Sequence, residues 1–258
     1  MSKHKNINLR LTGGLGNQLY QFSFAYYLYK KYGYKKIFID MSGMQNYNEY
    51  WGVMLDLVFK EDFLKDTVVF KRSKTLGLRI PVILKKFNVS LHRFGFISDL
   101  LEVEESKSLN LKNNIFLDGY FENQSIRSEY KTLLGQYIKP DLNIDLPSNI
   151  VVINVRGGEY KRLGVSSLKN RQFYIDAVQQ IKSKIEEPEF HLITDDVSFA
   201  SELLDGVCEI SKIHAPDPLS NFKHIYSAKY KILSLSTFAK WAAFLGNDSG
   251  ESIYFSPF

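Results

Sequence analysis

Four polar segments of the sequence contain the residue types that bind a nucleotide diphosphate. Each follows an apolar run that predicts a β-strand: residues 12–18 (TGGLGNQ), 156–159 (RGGE), 194–196 (TDD) and 234–237 (SLST). An arginine at the end of an apolar strand is costly unless it is paired or reaches a ligand, and Arg156 can donate two parallel hydrogen bonds to a diphosphate. Glu159 follows closely in the sequence, so a purely structural Arg–Glu pair is the alternative interpretation.

The first segment is a glycine-rich loop that contains Gly13, Gly14 and Gly16, followed by Asn17 and Gln18. A helical pattern begins at once, and the backbone N–H groups at a helix N-terminus favour anions. The spacing is not the dinucleotide-binding GxGxxG pattern, and no Gly-Lys-Ser/Thr follows as it does in a P-loop. The loop is therefore interpreted either as a ligand-binding loop or as a tight turn between a strand and a helix.

Asp195 and Asp196 are adjacent carboxylates, which could bind a divalent cation beside a diphosphate. Adjacent side chains at the end of a strand diverge, however. We therefore favour a carboxylate that accepts hydrogen bonds from a base or a ribose, or a helix N-cap formed by Asp196. The five histidines show no metal-ligand spacing, and we predict no metal site.

Ser236, Thr237 and Phe238 open the last long helical pattern of the chain. Hydroxyl and N–H groups at the start of a helix can bind phosphate. A plain N-cap formed by Ser236 is an equally good interpretation, and both can hold for different residues.

The sequence around these segments alternates between strand and helix patterns. Residues 7–11 predict a strand, a helical pattern continues to Gly33, and residues 36–40 predict a second strand, which together form a parallel βαβ unit. Residues 41–113 give no clear boundaries, whereas residues 114–137 again predict a strand and a helix. The N-terminal part of the chain is therefore predicted to be an α/β unit.

Residues 139–149 contain two prolines and predict a linker. After this linker the strand–helix alternation occurs repeatedly, which predicts a parallel sheet with covering helices. We therefore predict two Rossmann-like α/β domains, residues 1–145 and 146–258, that face a cleft. Ligands of such sheets bind beyond the carboxyl ends of the strands, where the four polar segments lie.

The composition limits the class of protein. A chain of 258 residues with 45% hydrophobic and 24% charged residues is typical of a globular protein and excludes a disordered one. The single cysteine, Cys208, cannot form an intramolecular disulfide, so we expect a reducing compartment and a cytoplasmic protein. The sequence shows no apolar run long enough for a signal peptide or a membrane span.

The charge is distributed unevenly, although the net charge is only +5. Seven Lys or Arg residues and no acidic residue fall between Asp66 and Asp99. One interpretation is a solvated basic face. The other is a surface that contacts anionic lipid head groups, peripherally, on the inner face of the cell membrane. Since no nucleic-acid-binding motif accompanies the charge, we expect no nucleic acid as a partner.

Taken together, these segments resemble the bacterial α-1,2-fucosyltransferases of glycosyltransferase family 11. The resemblance covers nearly the whole chain and is weakest in residues 41–113. The matching segments, in order, are Leu11 to Phe22, which resembles the family's opening; Asp118 to Phe121, similar to G-Y-W/F; Asn154 to Tyr160, in the place of H-V-R-R-G-D-Y; Thr194 to Asp196, similar to S-D-D; and Ser234 to Ala243, similar to S-N-S-T-F-S-W-W-A-A.

The resemblance implies a GT-B fold, an inverting mechanism and no metal or cofactor. It implies GDP-fucose as donor and, as acceptor, a β-galactoside oligosaccharide of a bacterial surface glycan such as an O-antigen or a capsule, with a lipid-linked acceptor as one form of it. The N-terminal domain is then the acceptor side and the C-terminal domain binds the nucleotide sugar. Arg156 neutralises charge on the leaving GDP. The resemblance implies that one aspartate of the pair accepts hydrogen bonds from guanine and that the glycine-rich loop lines the cleft. The remaining donor-binding residues that it implies are Asn154, Glu159, Tyr160, Thr194, Asp195, Asp196, Ser236, Thr237 and Phe238.

Four positions depart from the family's motifs. Asn154 stands where the family has His, Gly157 where it has a second Arg, Glu159 where it has Asp, and Leu235 where it has Asn. These departures leave two alternatives open, which are an inverting transferase that uses a different nucleotide sugar and a non-catalytic relative that binds a glycan or a nucleotide.

Overall fold

The computed structural model describes residues 5–41, 52–71, 96–98, 114–122, 127–158, 171–246 and 249–255. The chain divides into two compact units, Met1–Lys139 and Pro140–Phe258. The division falls at the start of the segment with two prolines that predicted a linker. Among the described residues, no helix has both the length and the apolar character needed to cross a membrane.

The first unit is built on a five-stranded parallel sheet with the strand order β3-β2-β1-β5-β4. Its strands are β1 (Ile7–Arg10), β2 (Ile37–Asp40), β3 (Val68–Lys71), β4 (Phe96–Ser98) and β5 (Ile115–Asp118). Its helices are α1 (Leu15–Tyr32), α2 (Glu61–Thr67) and α3 (Arg127–Leu134).

Helix α1 is the central packing element of the first unit, and most of its residues are buried. It ends at Gly33 as the sequence predicts, because this residue adopts a left-handed conformation with φ of 63° that favours glycine. Phe22 and Tyr26 of α1 pack with Phe59 and Phe63 at ring-centroid distances of 5.2 to 6.1 Å. Much of the high aromatic content of the chain therefore forms a core.

The second unit is a five-stranded parallel sheet with the strand order β10-β9-β6-β7-β8. Its strands are β6 (Ile150–Val155), β7 (Glu189–Thr194), β8 (Ile210–Ile213), β9 (Tyr230–Leu233) and β10 (Glu251–Tyr254). Its helices are α4 (Arg171–Lys182), α5 (Val197–Leu204), α6 (Pro218–Ser227) and α7 (Thr237–Leu245).

The strand order of the second unit is that of a Rossmann fold, in which the direction of winding reverses between the first and fourth strands, here β6 and β9. Strand β6 is buried along its whole length, as expected of a strand covered on both faces. Val151 and Ile153 of this strand pack with Tyr174, Ile181 and Leu203 of the covering helices in one core. The predicted α/β architecture is confirmed in both units.

Two strands of the second unit differ from the sequence-based prediction. The strand predicted at residues 207–210 begins only at Ile210 and continues to Ile213, because Val207 and Cys208 pack against the core from a loop. Strand β10 was not predicted from the sequence. It pairs with β9 at one edge of the sheet.

Three histidines lie against one another in the second unit. The Nε2 atom of His214 is 3.3 Å from Nδ1 of His191, and the rings of His214 and His224 are 4.0 Å apart. Burial is the largest cause that lowers the pKa of His214 from 6.5 to about 4, and the charges of His224, Lys212 and His191 lower it further.

This pKa shift predicts that the free energy of unfolding decreases as the pH falls from 6.5 to about 4. Between pH 6.5 and about 4, His214 binds a proton in the unfolded chain and not in the folded one. Above pH 6.5 His214 is unprotonated in both states, so its full contribution to stability is present there. Urea unfolding followed at several pH values measures the effect. His214→Asn is expected to weaken the pH dependence, and an unchanged dependence in this variant would refute the prediction.

Candidate functional site

The carboxyl ends of β6 and β7 bring together Arg156 and Asp195. Val155 pairs with Thr194 in the register of these strands, so the next residues along each strand are neighbours. Nη1 of Arg156 is 2.9 Å from Oδ2 of Asp195, and each side chain is only about a third or less exposed, at 31% and 26%. The N–H group of Gly157 donates to Oδ1 of the same carboxylate at 2.8 Å. Asp195 therefore fixes both the guanidinium group and the backbone that follows it.

One of the two sequence-based interpretations of Arg156 was a structural pair with Glu159. Glu159 and Tyr160 lie outside the described residues, so their predicted contacts remain predictions. The partner of Arg156 that the structure does describe is Asp195. The signal that could have found it is strand pairing, since Arg156 follows one parallel strand and Asp195 follows its neighbour.

A buried hydrogen-bond network lies beneath Arg156. The backbone N–H of Arg156 donates to Oγ of Ser234 at 3.1 Å, and the hydroxyl of Ser234 donates to Oδ1 of Asn154 at 2.9 Å. The side-chain amide of Asn154 donates to the carbonyl of Ile193 at 3.2 Å. Because Asn154 and Ser234 are buried and satisfied, the network holds three strand ends in one geometry. The predicted contact of Asn154 with a donor stays a prediction.

The glycines after Arg156 lie close to the start of α5. A Cβ atom on Gly157 would lie 2.6 Å from Cδ1 of Phe199, and one on Gly158 would lie 3.1 Å from Oδ2 of Asp195. The ring of Phe199 thus occupies the space that a side chain at position 157 would need. This contact is a physical reason for glycine at position 157. Sequence reasoning did not identify Phe199 as a neighbour of Gly157, because the two residues are far apart in the sequence.

The two adjacent aspartates diverge, as the sequence predicts. Asp195 contacts Arg156, whereas Asp196 is the N-cap of α5 and its Oδ1 accepts the N–H of Phe199 at 3.0 Å. The hydroxyl of Thr194 accepts the N–H of Asp196 at 3.1 Å and closes the turn between strand and helix. Within the described residues, no group of three or more His, Cys, Asp or Glu is arranged to hold a metal ion.

The start of α7 lies beyond the carboxyl end of β9, three residues after Ser234. Ser236 is its N-cap, and its hydroxyl accepts the N–H of Ala239 at 3.3 Å. Thr237 and Phe238 form the first turn and are partly exposed. The helix-capping interpretation of Ser236 therefore holds, and phosphate binding by this helix start stays a prediction.

The glycine-rich loop of the first unit is fixed from below by a buried glutamine. The side-chain amide of Gln18 donates to the carbonyls of Gly13 and Gly52, each at 2.9 Å, and its oxygen accepts the N–H of Met54 at 2.9 Å. Gly13 has φ of 76°, which favours glycine. Gln18 is thus a structural clamp of this loop.

The remaining residues of the loop form the beginning of α1. Gly14 is the N-cap without a side-chain hydrogen bond, and Gly16 and Asn17 belong to the first turn. The side chain of Asn17 lies over Gly13. A Cβ atom added to Gly13 would be 2.6 Å from Nδ2 of Asn17. The loop is therefore a tight strand-to-helix turn, and its predicted contact with a ligand stays a prediction.

The two α/β units have the GT-B type of fold, which solved fucosyltransferases share. NodZ α-1,6-fucosyltransferase soaked with GDP-fucose superposes with a TM-score of 0.58 at 14% identity, over 95% of this chain and 93% of that chain. NodZ from Bradyrhizobium gives 0.54 at 13% identity, over 95% and 94% of the two chains. Arabidopsis thaliana FUT1 in complex with GDP gives 0.56 at 10% identity, over 98% of this chain and 70% of that chain. At these identities the likeness concerns the fold alone, and the predicted GT-B fold is confirmed.

The chain belongs to glycosyltransferase family 11. The family described as Glycosyl transferase family 11 matches residues 112–258, which is more than half of the chain. The chain is also 25% identical over 269 residues to an alpha-1,2-colitosyltransferase of Escherichia coli, with 96% of this chain and 90% of that protein covered. The family predicted from the motifs is thus confirmed, and the protein is a glycosyltransferase.

Proposed function

We propose that the enzyme transfers L-fucose from GDP-fucose to the 2-hydroxyl of a β-galactoside, with inversion at the anomeric carbon. The observation that supports this most directly is Arg156, which Asp195 and the buried Ser234–Asn154 network hold in place. It lies at the point where the winding of the second sheet reverses, which is where Rossmann-type sheets bind nucleotides. Its guanidinium group suits a diphosphate.

The proposed reaction is a single displacement. The acceptor hydroxyl oxygen forms a bond to the anomeric carbon, and the bond from that carbon to the β-phosphate oxygen breaks. The proton of the acceptor hydroxyl passes to water. Negative charge accumulates on the departing GDP. Arg156 stabilises this charge without rearranging, because Asp195 already fixes its position. The first turn of α7, with Thr237, supplies further N–H donors for the phosphates.

Analysis of the product tests the linkage and the stereochemistry. The enzyme is incubated with GDP-β-L-fucose and a methyl β-galactoside, and the product is analysed by NMR. We expect an α-linked fucose on the 2-hydroxyl. A β-linked product would contradict inversion, and attachment to another hydroxyl would contradict the proposed linkage.

A second candidate function is transfer of colitose, and the E. coli relative supports it. Colitose is L-fucose without the 3-hydroxyl, so one site can accept either sugar unless a side chain binds that hydroxyl. The values of kcat/KM for GDP-fucose and GDP-colitose with one acceptor separate the candidates. A higher kcat/KM for GDP-colitose would identify colitose rather than fucose as the sugar that is transferred. The proposed diphosphate site would be unaffected by this result.

We further propose that transfer does not require a metal ion. Asp195 is already paired with a guanidinium group, and Asp196 accepts the N–H of Phe199, so the two carboxylates are not arranged as a chelate. Turnover is therefore expected to remain nearly unchanged when a chelator is added. Loss of turnover with the chelator, restored by Mn²⁺ or Mg²⁺, would refute this proposal.

We also propose a cytoplasmic enzyme that acts peripherally at the inner face of the membrane, on a lipid-linked oligosaccharide of a surface glycan. The support is the basic segment between Asp66 and Asp99, most of which lies outside the described residues. Each Lys or Arg near an anionic surface contributes about 1 kcal/mol. We expect salt-sensitive binding to anionic vesicles and little binding to neutral ones.

Substitution of the basic residues tests this recruitment. Changing Lys71, Arg72, Lys85 and Lys86 to Gln is expected to weaken vesicle binding and to leave transfer to a soluble acceptor unchanged. If the wild-type enzyme does not bind anionic vesicles at low salt, the segment is only a solvated basic face.

A further inference from the structure

A second polar cluster lies at the carboxyl ends of the strands of the first unit. Here the strand order reverses between β1 and β5, which end in Arg10 and Asp118. Nη1 of Arg10 is 3.4 Å from both carboxylate oxygens of Asp118, and the two side chains are 31% and 27% exposed. Ligands of open parallel sheets bind beyond the carboxyl strand ends at such a reversal.

The pairing of Arg10 with Asp118 is loose. Strong guanidinium–carboxylate hydrogen bonds have lengths of about 2.7–2.9 Å, and the pair formed by Arg156 and Asp195 reaches 2.9 Å. At 3.4 Å the contact between Arg10 and Asp118 is longer and weaker than the contact between Arg156 and Asp195. The two opposite charges favour a neutral, hydroxyl-rich ligand over a phosphate.

A strained backbone follows this pair. Phe121 has φ of 57°, a left-handed conformation that is uncommon and strained for a bulky residue. Its ring is 2% exposed and stacks on Phe24 of α1 at a centroid distance of 4.5 Å. Burial of the aromatic ring is favourable and offsets this strain. The stacked ring thus fixes the turn.

The fixed turn leaves the preceding aromatic residue at the surface. Tyr120 is 38% exposed, although Leu117 of β5 and the next residue, Phe121, are buried. Strained backbone is concentrated at functional sites, and an exposed ring with a polar tip is suited to a ligand that has both an apolar face and hydroxyl groups. A pyranose ring has both.

We propose that Tyr120, Asp118 and Arg10 form the platform that binds the acceptor saccharide, an inference that rests on the proposed glycosyl transfer. The tyrosine ring stacks on the C–H face of the sugar. The carboxylate of Asp118 accepts hydrogen bonds from its hydroxyl groups, and the guanidinium of Arg10 donates to its oxygens.

Binding of the acceptor without donor tests the platform. Saturation-transfer NMR detects binding of lactose to the wild-type enzyme, to Tyr120→Ala and to Asp118→Asn. A lost hydrogen bond to a charged group corresponds to an affinity about tenfold weaker or more. We therefore expect a loss of this size for Asp118→Asn, a clear loss for Tyr120→Ala, and retained binding for Tyr120→Phe. In steady-state assays, the KM for the acceptor rises and the KM for GDP-fucose does not.

Matched controls separate the platform from general damage. Tyr254→Ala removes a similarly exposed tyrosine of the second unit, and Glu61→Gln removes a surface carboxylate of the first unit. Both controls should bind lactose like the wild type. Thermal unfolding verifies the fold of each variant, and the near-isosteric Asp118→Asn decides the test if Tyr120→Ala does not fold.

The outcomes for this inference and for the proposed transfer are distinct. If the wild-type enzyme transfers fucose and both Tyr120→Ala and Asp118→Asn keep wild-type lactose binding and acceptor KM, the platform is wrong. If the wild-type enzyme binds lactose through these residues but transfers no sugar, the proposed transfer is wrong and the platform stands.

Discussion

Replacing Arg156 with Ala is expected to lower kcat by about 10²–10³-fold, as the loss of one preorganised donor to a developing anion does in other enzymes. The guanidinium group that Asp195 holds at 2.9 Å would otherwise meet the charge on the departing GDP. Steady-state kinetics with GDP-fucose and a β-galactoside measure the loss. Arg156→Lys should recover only part of it, because an ammonium group cannot donate two parallel hydrogen bonds.

The fold should survive this substitution. Lys223→Gln is the matched control, since it removes a cation of the same unit that pairs with Asp141 at 3.0 Å. This control should keep both turnover and stability. If Arg156→Ala unfolds the chain, the Arg156–Asp195 pair is structural and the catalytic assignment is wrong. If Arg156→Ala is folded and fully active, the same assignment fails.

The second large effect is expected for Asp195→Asn. Asparagine retains the size of the side chain and an oxygen for the N–H of Gly157, but it removes the charge that holds the guanidinium group. Misplacing a catalytic group by about 1 Å can cost about 10²-fold in rate, and we expect a loss approaching this size in kcat. Asp217→Asn is the control, because Asp217 is also an aspartate whose carboxylate accepts a backbone N–H, from Ser220 at 2.7 Å.

A double-mutant cycle identifies Asp195 as a positioning residue. If Asp195 acts through Arg156, the double variant with Arg156→Ala and Asp195→Asn should be no slower than Arg156→Ala alone. Fully multiplicative losses would show that Asp195 acts independently. In that case direct recognition of guanine by Asp195 becomes the better account, a role that the motif resemblance implies for one aspartate of the pair.

Local patterns in the sequence were sufficient to predict most of the elements. Helix α1 and its end at Gly33 follow from apolar spacing and a left-handed glycine, and β6 follows from a continuous apolar run. The apolar run at residues 207–210 predicted a strand that begins too early. Val207 and Cys208 pack against the core from a loop, and such a loop segment is as apolar as a buried strand. Periodicity alone does not separate the two cases.

The site was only partly predictable, because its decisive contacts join residues far apart in the sequence. Arg156 was identified from its place at the end of an apolar strand, but its pairing with Asp195 depends on which strands are neighbours. The clamp formed by Gln18 likewise depends on residues 52–54. The glycine at position 157 becomes understandable only once the ring of Phe199 is placed beside it.

The central claim is that the enzyme transfers a sugar from a guanosine-diphosphate donor. A panel of GDP-, UDP- and dTDP-sugars, each incubated with the enzyme and one β-galactoside, tests it most directly by measuring the glycosylated product. The account predicts product from a GDP-sugar and none from the others. Product only from a UDP- or dTDP-sugar would contradict it, and an absence of product from every donor would favour a non-catalytic binding protein.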